Sequence, residues 1–507
     1  MSPKKKAKQE KPKPIDLKLT LENFGPLRKA EIDLKPMTIF IGPNNSGKSY
    51  AAMMFYSLFR SYWHVDPGPP IWPPMASQDG LSKALNPKAF LDDRFCYDTV
   101  ANIMDRNPDP AKKGPFDITP EEATEIGTSI FQRVSLGPLT SEVGRIYGAT
   151  MPQLGLDRDN MFSVRIDVPD WSLELESSED SLAIRHLKGR FGGVKNKTYN
   201  VIYWEAINGK PDAESQRDAR IATLGHALAT ESLRPLWRQL ERGCHYLPGE
   251  RPGLMLLKDP FINAILQQNA QMGGWERRVS AGPRGVDSDF FRIISQLGGL
   301  APGPLAHIAV DLESDILRGS IQLKFVHKNV APHIMFRTDA GLELELHQCS
   351  LAVIELAPIV LHIKHIAQPG CIMIIDEPEA HLHPGAIRIL AKYLVKLVRE
   401  GVNLILTTHS DYLFGQINNY ILWGKVRKKR EEDGSGDLPE VYLEQDEFGA
   451  YLFKRDTGIK SGLAYRTEPL HAKRRMTEDG LPEDMFIEAD DELYEDLKEA
   501  RIALAQE

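Results

Sequence analysis

The stretch IFIGPNNSGKSY, Ile39 to Tyr50, decides the fold. Within it Gly42, Pro43, Asn44, Asn45, Ser46, Gly47, Lys48 and Ser49 meet the pattern G-x-x-x-x-G-K-[ST] in full. Glycines in such a loop let backbone N–H groups curl toward phosphate oxygens, Lys48 would reach the β- and γ-phosphates, and Ser49 would hold Mg²⁺. The flanks suit that use. Met37 to Phe40 is a short apolar run of strand type, and SYAAMMFYSLF downstream carries apolar residues at helical spacing. The loop therefore opens a helix, whose N-terminus favours phosphate.

A phosphate cradle hydrolyses nothing by itself, and a second stretch supplies acids. CIMIIDEPEAHLHP, Cys371 to Pro384, reads as a buried strand with two carboxylates at its C-terminal end. That is where an open α/β sheet binds ligands. Asp376 would steady Mg²⁺ through its water shell, and Glu377 would act as general base on the attacking water. A third run, VNLILTTHSDYL, puts His409 just past a strand spanning Val402 to Thr408, placed to touch the γ-phosphate at the same sheet edge. His381 and His383 stand before Pro384, which suits the first turn of a helix better than a metal site lacking a third ligand. His362 and His365 read as helix surface or core on the same ligand count.

With GPNNSGKS, IIDEPEAHLHP and LTTHS in this order, the chain resembles the ABC-type ATPase heads of the SMC and RecF branch, in particular the compact bacterial ATPases of OLD-family and PARIS-type phage-defence systems. LENFGPLRKAEIDL is similar to the family's opening strands, and HYLPGERPGLM, His245 to Met255, to a further head segment. The resemblance implies a P-loop head of α/β class, a mixed sheet flanked by helices, that uses ATP and Mg²⁺ and works as a homo-oligomer, a head-to-tail dimer or higher. It also implies a signature segment that caps the nucleotide of a second subunit. The matching place, HQCSLAVIELAPIV, keeps Ser350 but has Leu351 for a second Ser and Ala352 for Gly. A Cβ where backbone must approach phosphate, and a hydroxyl removed, predict weak activation across the interface and slow turnover.

The rest of the chain bounds this picture. With 507 residues, 42% apolar and 26% charged, it can bury more than one core. No apolar run approaches the roughly 20 residues that span a bilayer, so no membrane contact is expected and the cytoplasm is the expected compartment. Four cysteines without a C-x-x-C pair suggest neither a disulfide framework nor a zinc hook. The net charge of −8 argues against a nucleic-acid binder over the whole surface but leaves room for a local DNA or tRNA contact. The basic stretches are Lys4 to Pro14, an arm with disorder-like composition, and KVRKKREEDGSGD, Lys425 to Asp437, which reads as an exposed charged loop.

The predicted organisation is a basic arm (1–14), an N-terminal lobe with the phosphate loop (15–62), and an inserted α+β domain (63–240). A C-terminal lobe (241–425), the charged loop (426–440), and closing strands with an acidic helix (441–507) follow. The insert opens on a Pro- and Gly-rich stretch, His64 to Gly80, and carries helical patterns (TPEEATEIGTSIFQRV, and the run from Asp212 to Gly243) beside strand patterns (SVRIDVPDWSLELES, TYNVIYWEAI). Its heptads are too few for a coiled coil. GSIQLKFVHKNVAPHIMFRTDAGLELELHQCS reads as a meander of two or three strands. Too little chain follows His409 for a TOPRIM nuclease domain, so an output through a separate effector protein is expected. Two alternatives stand: a RecF-like DNA-repair ATPase that clamps DNA, and a nuclease using carboxylates within Met161 to Asp180.

Overall fold

The computed structural model describes residues 15–64, 94–106, 119–156, 161–169, 171–189, 221, 236, 239–257, 285–297, 300–324, 332–434, 437–456 and 464–470. The basic arm, most of the Pro-rich stretch, TYNVIYWEAI and the acidic C-terminal segment lie outside them, as does nearly all of the run from Asp212 to Gly243. The chain forms two compact units, one of residues 16–33 and 53–242, the other of 1–15, 34–52 and 243–507. The opening hairpin thus belongs with the insert and not with the phosphate loop, contrary to the sequence-based boundary at residue 62.

The reason lies in strand pairing. β1 (Lys18–Phe24) and β2 (Leu27–Asp33) close a tight turn in which Asn23 (φ 56) and Gly25 (φ 54) adopt left-handed backbone. The turn falls within LENFGPLRKAEIDL, the stretch that resembles the opening strands of ABC-type heads. β1 also pairs antiparallel with β4 (Ser163–Val168), followed by β5 (Trp171–Ser177) and β6 (Leu182–Gly189), in the order β6-β5-β4-β1-β2. Strict alternation in WSLELES buries every second side chain, as one packed face requires. Carboxylates on β4 and β5 meet cations: Arg185 lies 3.2 Å from Glu174, and Arg165 3.1 Å from Asp167. These acids therefore form ion pairs on strands, the ordinary use of such charge.

In the other unit, β3 (Met37–Ile41) leads through the loop into the start of α1 (Lys48–His64), which from Met53 onward is grouped with the insert. Helices α2 (Arg94–Arg106), α3 (Pro120–Phe131) and α4 (Gly137–Tyr147) belong to the insert, and α3 meets the expectation for TPEEATEIGTSIF. β7 (Cys244–Leu247), α5 (Gly285–Gln296) and α6 (Ala306–Leu312) follow, then the predicted meander as β8 (Gly319–Lys324), β9 (His333–Thr338) and β10 (Glu343–Glu345), a separate three-stranded sheet. Next come α7 (Leu351–His365), β11 (Ile372–Asp376), α8 (Pro384–Arg399), β12 (Asn403–Thr408), α9 (Asp411–Asp433), β13 (Phe448–Arg455) and β14 (Tyr465–Pro469).

These strands lie in the order β14-β13-β3-β12-β11-β7, parallel from β13 to β7 with β14 antiparallel at its end. β3, β11 and β12 are buried along their whole length, which explains their unbroken apolar runs. Met37, Ile39, Met373, Ile375, Leu404 and Leu406 share one core with Leu356 and Val360 of α7, Leu390 and Leu394 of α8, and Phe414 of α9. The result is a mixed sheet with helices packed on it, an α/β fold as expected.

A further expectation fails. Lys425 to Asp433 continue α9 and are no loop. Upstream, Phe414, Ile417 and Ile421 anchor the helix, and Gly424 lets it approach the Leu443 carbonyl. Arg427 stacks 4.5 Å from the Tyr442 ring and donates to the Pro439 carbonyl at 3.1 Å. The helix stops at Gly434 (φ 63), which caps it by donating its N–H to the Arg430 carbonyl.

Candidate active site

Parallel register brings the chemistry-bearing residues to one edge. Ile41 pairs with Thr408, Thr407 with Asp376, and Ile375 with Leu247. The residues after these four strands are the phosphate loop, His409, Glu377 and the segment beginning at Pro248. All four therefore leave the sheet side by side at its C-terminal edge, the ligand edge of an open parallel sheet.

The loop is shaped as a cradle. Gly42 (φ 148), Asn45 (φ 62) and Gly47 (φ 95) have positive φ, and Asn is the residue that tolerates this best after glycine. Pro43, Asn44 and Asn45 are exposed, whereas Ser46, Gly47 and Lys48 are buried. The Lys48 ammonium donates to the carbonyls of Gly42 (2.8 Å) and Pro43 (2.9 Å). Burial lowers its pKa, against the pull of Glu377 and Asp376. The Ser46 hydroxyl is buried and finds no partner among the described residues, as suits a group reserved for an incoming acceptor. Ser49 is half-buried on the first turn of α1.

Asp376 is buried, and its carboxylate accepts from the Tyr246 hydroxyl (2.5 Å) and the Thr407 hydroxyl (2.7 Å). Desolvation nevertheless raises its pKa, with those two bonds opposing. Each carboxylate oxygen keeps a second lone pair, so hard oxygen donors of the type Mg²⁺ takes remain on Asp376 and Ser49. Glu377 adopts a left-handed backbone (φ 45), and its N–H donates to the Thr407 carbonyl at 3.0 Å. Its side chain is 35% exposed, and His409 Nδ1 lies 3.4 Å from it. A carboxylate that is reachable, ionisable and fixed at its backbone can accept a proton from water.

Ser350 stands at the N-cap of α7, exposed, with no side-chain cap bond. Leu351 beside it is 51% exposed. Nothing in the structure joins Ser350 to the loop or the acidic pair of its own chain. His383 is the N-cap of α8 and accepts from the Gly385 N–H at 3.1 Å, as its place before Pro384 suggests. His362 is core, buried on α7, where desolvation lowers its pKa to about 4.

Several partners escape sequence reasoning. Arg251 is fully buried and donates to backbone carbonyls of both Asp376 and Glu377. Its ion-pair partner Glu355, on α7, is equally buried. Glu379 is buried, takes a hydrogen bond from the Thr408 hydroxyl, and its other oxygen has no hydrogen-bond partner among the described residues. Burial raises its pKa, and so does the nearby Glu377 charge. A charged Arg inside a Pro- and Gly-rich stretch, GERPG, was the one visible signal for Arg251.

Two families match parts of the chain. One, described as an AAA domain, putative AbiEii toxin, Type IV TA system, matches residues 282–415; the other, described as an AAA ATPase domain, matches residues 17–131. No curated protein matches the chain. Among solved structures, an SMC head bound to the C-terminal winged-helix domain of ScpA is 13% identical, with 90% of this chain and 98% of that one covered at a TM-score of 0.37. An SMC head domain from Thermotoga maritima is 11% identical, with 90% and 99% covered at a TM-score of 0.32. An SMC head with an extended coiled coil, bound to a ScpA domain derived from Pyrococcus furiosus, is 11% identical, with 92% and 98% covered at 0.37. The loop, the acidic strand and the two family matches point the same way: residues 17–131 and 282–415 are similar to AAA-type ATPase domains, which supports an ATP-binding ATPase.

Proposed function

We propose that this protein is a slowly hydrolysing ABC-type ATPase that oligomerises and, as sensor and scaffold, controls a separate effector in bacterial antiviral defence. The observation that carries the ATPase reading is the convergence of Lys48, Asp376, Glu377 and His409 at one sheet edge. The defence setting and the cytoplasmic location rest on the resemblance to OLD-family and PARIS-type heads. No helix among the described residues is long and apolar enough to cross a membrane.

In this reading the loop amides and Lys48 bind the phosphates, the ammonium exchanging its two carbonyl partners for phosphate oxygens. Ser49 and Asp376 hold Mg²⁺, which when bound neutralises charge on the phosphates. Glu377 takes the proton of the attacking water, and His409 steadies the carboxylate from 3.4 Å. Ser350 serves a second copy, since its hydroxyl is exposed and makes no cap bond to its own helix. Leu351 withholds a hydroxyl donor from that copy and Ala352 sets a Cβ where backbone must approach its phosphate, which makes turnover slow and the ATP state long-lived.

Phosphate release and native mass spectrometry, with and without ATP, test this. Turnover below about 1 s⁻¹, the low end for enzymes, and assembly that needs ATP are expected. Glu377→Gln should bind ATP, lose hydrolysis and hold the assembly together with any effector. Rapid hydrolysis by a monomer overturns the scaffold reading, and an ATP-trapped dimer carrying only nucleic acid favours the DNA-clamp alternative.

A further inference from the structure

Resting on the ATPase reading, we propose that Arg251 is a positioning residue for hydrolysis: it fixes Glu377 and ties it to α7, the helix that begins at Ser350.

Arg251 uses its whole donor fork. Its Nε donates to the Glu355 carbonyl (3.3 Å), Nη1 to the carbonyls of Pro248 (3.1 Å) and Asp376 (2.5 Å), and Nη2 to the Glu377 carbonyl (2.9 Å). The guanidinium also pairs with the Glu355 carboxylate, both side chains being 0% exposed. One planar cation therefore joins the segment after β7, the second turn of α7, and the backbone of both catalytic-edge acids. Only arginine offers five donors in a rigid plane; a lysine in its place could satisfy a fraction of these acceptors.

The energetics argue against a purely structural purpose. A buried ion pair holds a fold no better than apolar residues of the same volume. Its retention here coincides with unusual backbone. Glu377 (φ 45) and His381 (φ 58) are both left-handed; His, like Asn and Asp, enters this region more readily than Glu, so it is the Glu377 backbone above all that surroundings must impose. Arg251 holds the first through the Glu377 carbonyl. Glu355 holds the second, because its other oxygen accepts from His381 Nδ1 at 3.3 Å. The turn that carries Glu377 is thus clamped at both ends from a single residue pair, and the clamp is fastened to α7. The position of the base is therefore set by the helix whose exposed end, Ser350, faces outward.

Three proteins test this: Arg251→Lys, Arg251→Met, and the double variant Arg251→Met with Glu355→Met. The measurements are melting temperature, ATP affinity and kcat beside the wild type. The single Met variant strands a buried carboxylate and can fail to fold; the double variant removes both charges and restores packing. We expect the Lys and double variants to fold and to bind ATP as the wild type does, with kcat reduced about 100-fold, the usual effect of misplacing a reacting group by an ångström. A double variant that recovers both stability and kcat overturns the proposal, because only packing was then at stake. Wild-type protein that releases no phosphate overturns the ATPase reading and takes this proposal with it, so the two failures are distinct.

Discussion

Replacing Gly42 by Ala tests how the cradle is built. The first loop glycine has φ 148, and an added Cβ would lie 2.5 Å from the Phe453 carbonyl oxygen and 3.1 Å from the Phe453 Cβ. The obstacle cannot step aside. Phe453 lies within β13, which is paired to β3 on one side and β14 on the other, and its ring packs 5.3 Å from that of Phe40. Overpacking of this kind costs about 1–3 kcal/mol, and a left-handed alanine adds about 1–3 kcal/mol. The sum, roughly 2–6 kcal/mol, is a large share of the ~5–15 kcal/mol that holds a domain together. If the sheet yields, the unfolding free energy falls by that amount and the urea midpoint falls in proportion. If the loop yields instead, the competent loop becomes rarer and the apparent ATP Kd rises by ~30-fold to ~10⁴-fold. Equilibrium unfolding and nucleotide titration on the same samples separate the two. Gly253→Ala is the control, because a Cβ there meets nothing within 4 Å. Unchanged midpoint and affinity in Gly42→Ala would refute the close approach.

Other changes probe buried charge. Lys48→Met should abolish nucleotide binding while stabilising the nucleotide-free protein at neutral pH. Burial holds the Lys48 pKa below 10.5 in the fold, so the folded state binds fewer protons; the wild type should gain on the variant as pH rises toward 10.5 in unfolding curves. Glu379→Gln should also stabilise the nucleotide-free protein near neutrality. The raised folded pKa means the wild type loses stability as pH climbs from the ordinary carboxylate value through the folded one, and the variant should lack that slope. A variant less stable than wild type at pH 7 would show that the Glu379 charge is satisfied in the fold.

Much of the candidate site was legible because it lies where short apolar runs end. MTIFI, IMIID and NLILTT are central parallel strands, and such strands advertise themselves as continuous apolar stretches with functional residues just beyond. The polar support around them was not legible. Tyr246 reaches Asp376 across 130 residues of sequence and Arg251 reaches Glu355 across 104, so no spacing rule could pair them. Lys425 to Asp433 misled for the opposite reason: their polarity is real, but the helix is imposed by anchors upstream and by Tyr442 packing onto Arg427. The hairpin boundary was misplaced because β1 finds β4, a partner far along the chain.

The same burial that complicates stability also explains what the site is for. Lys48, Arg251, Glu355, Asp376 and Glu379 are all buried, and for each of them desolvation is the largest influence on its pKa and acts against the charged form. A fold selected for stability alone would place apolar side chains here, since these match or exceed buried ion pairs. The charges are therefore held in place by strand register and by the Arg251 clamp at some cost to the nucleotide-free protein. Phosphate and Mg²⁺ would supply counter-charge to Lys48 and Asp376, so nucleotide should stabilise the wild type more than simple contact formation predicts. Glu355 and Arg251 already neutralise each other, so their pair should respond little to nucleotide; this separates the residues that meet the ligand from those that position them.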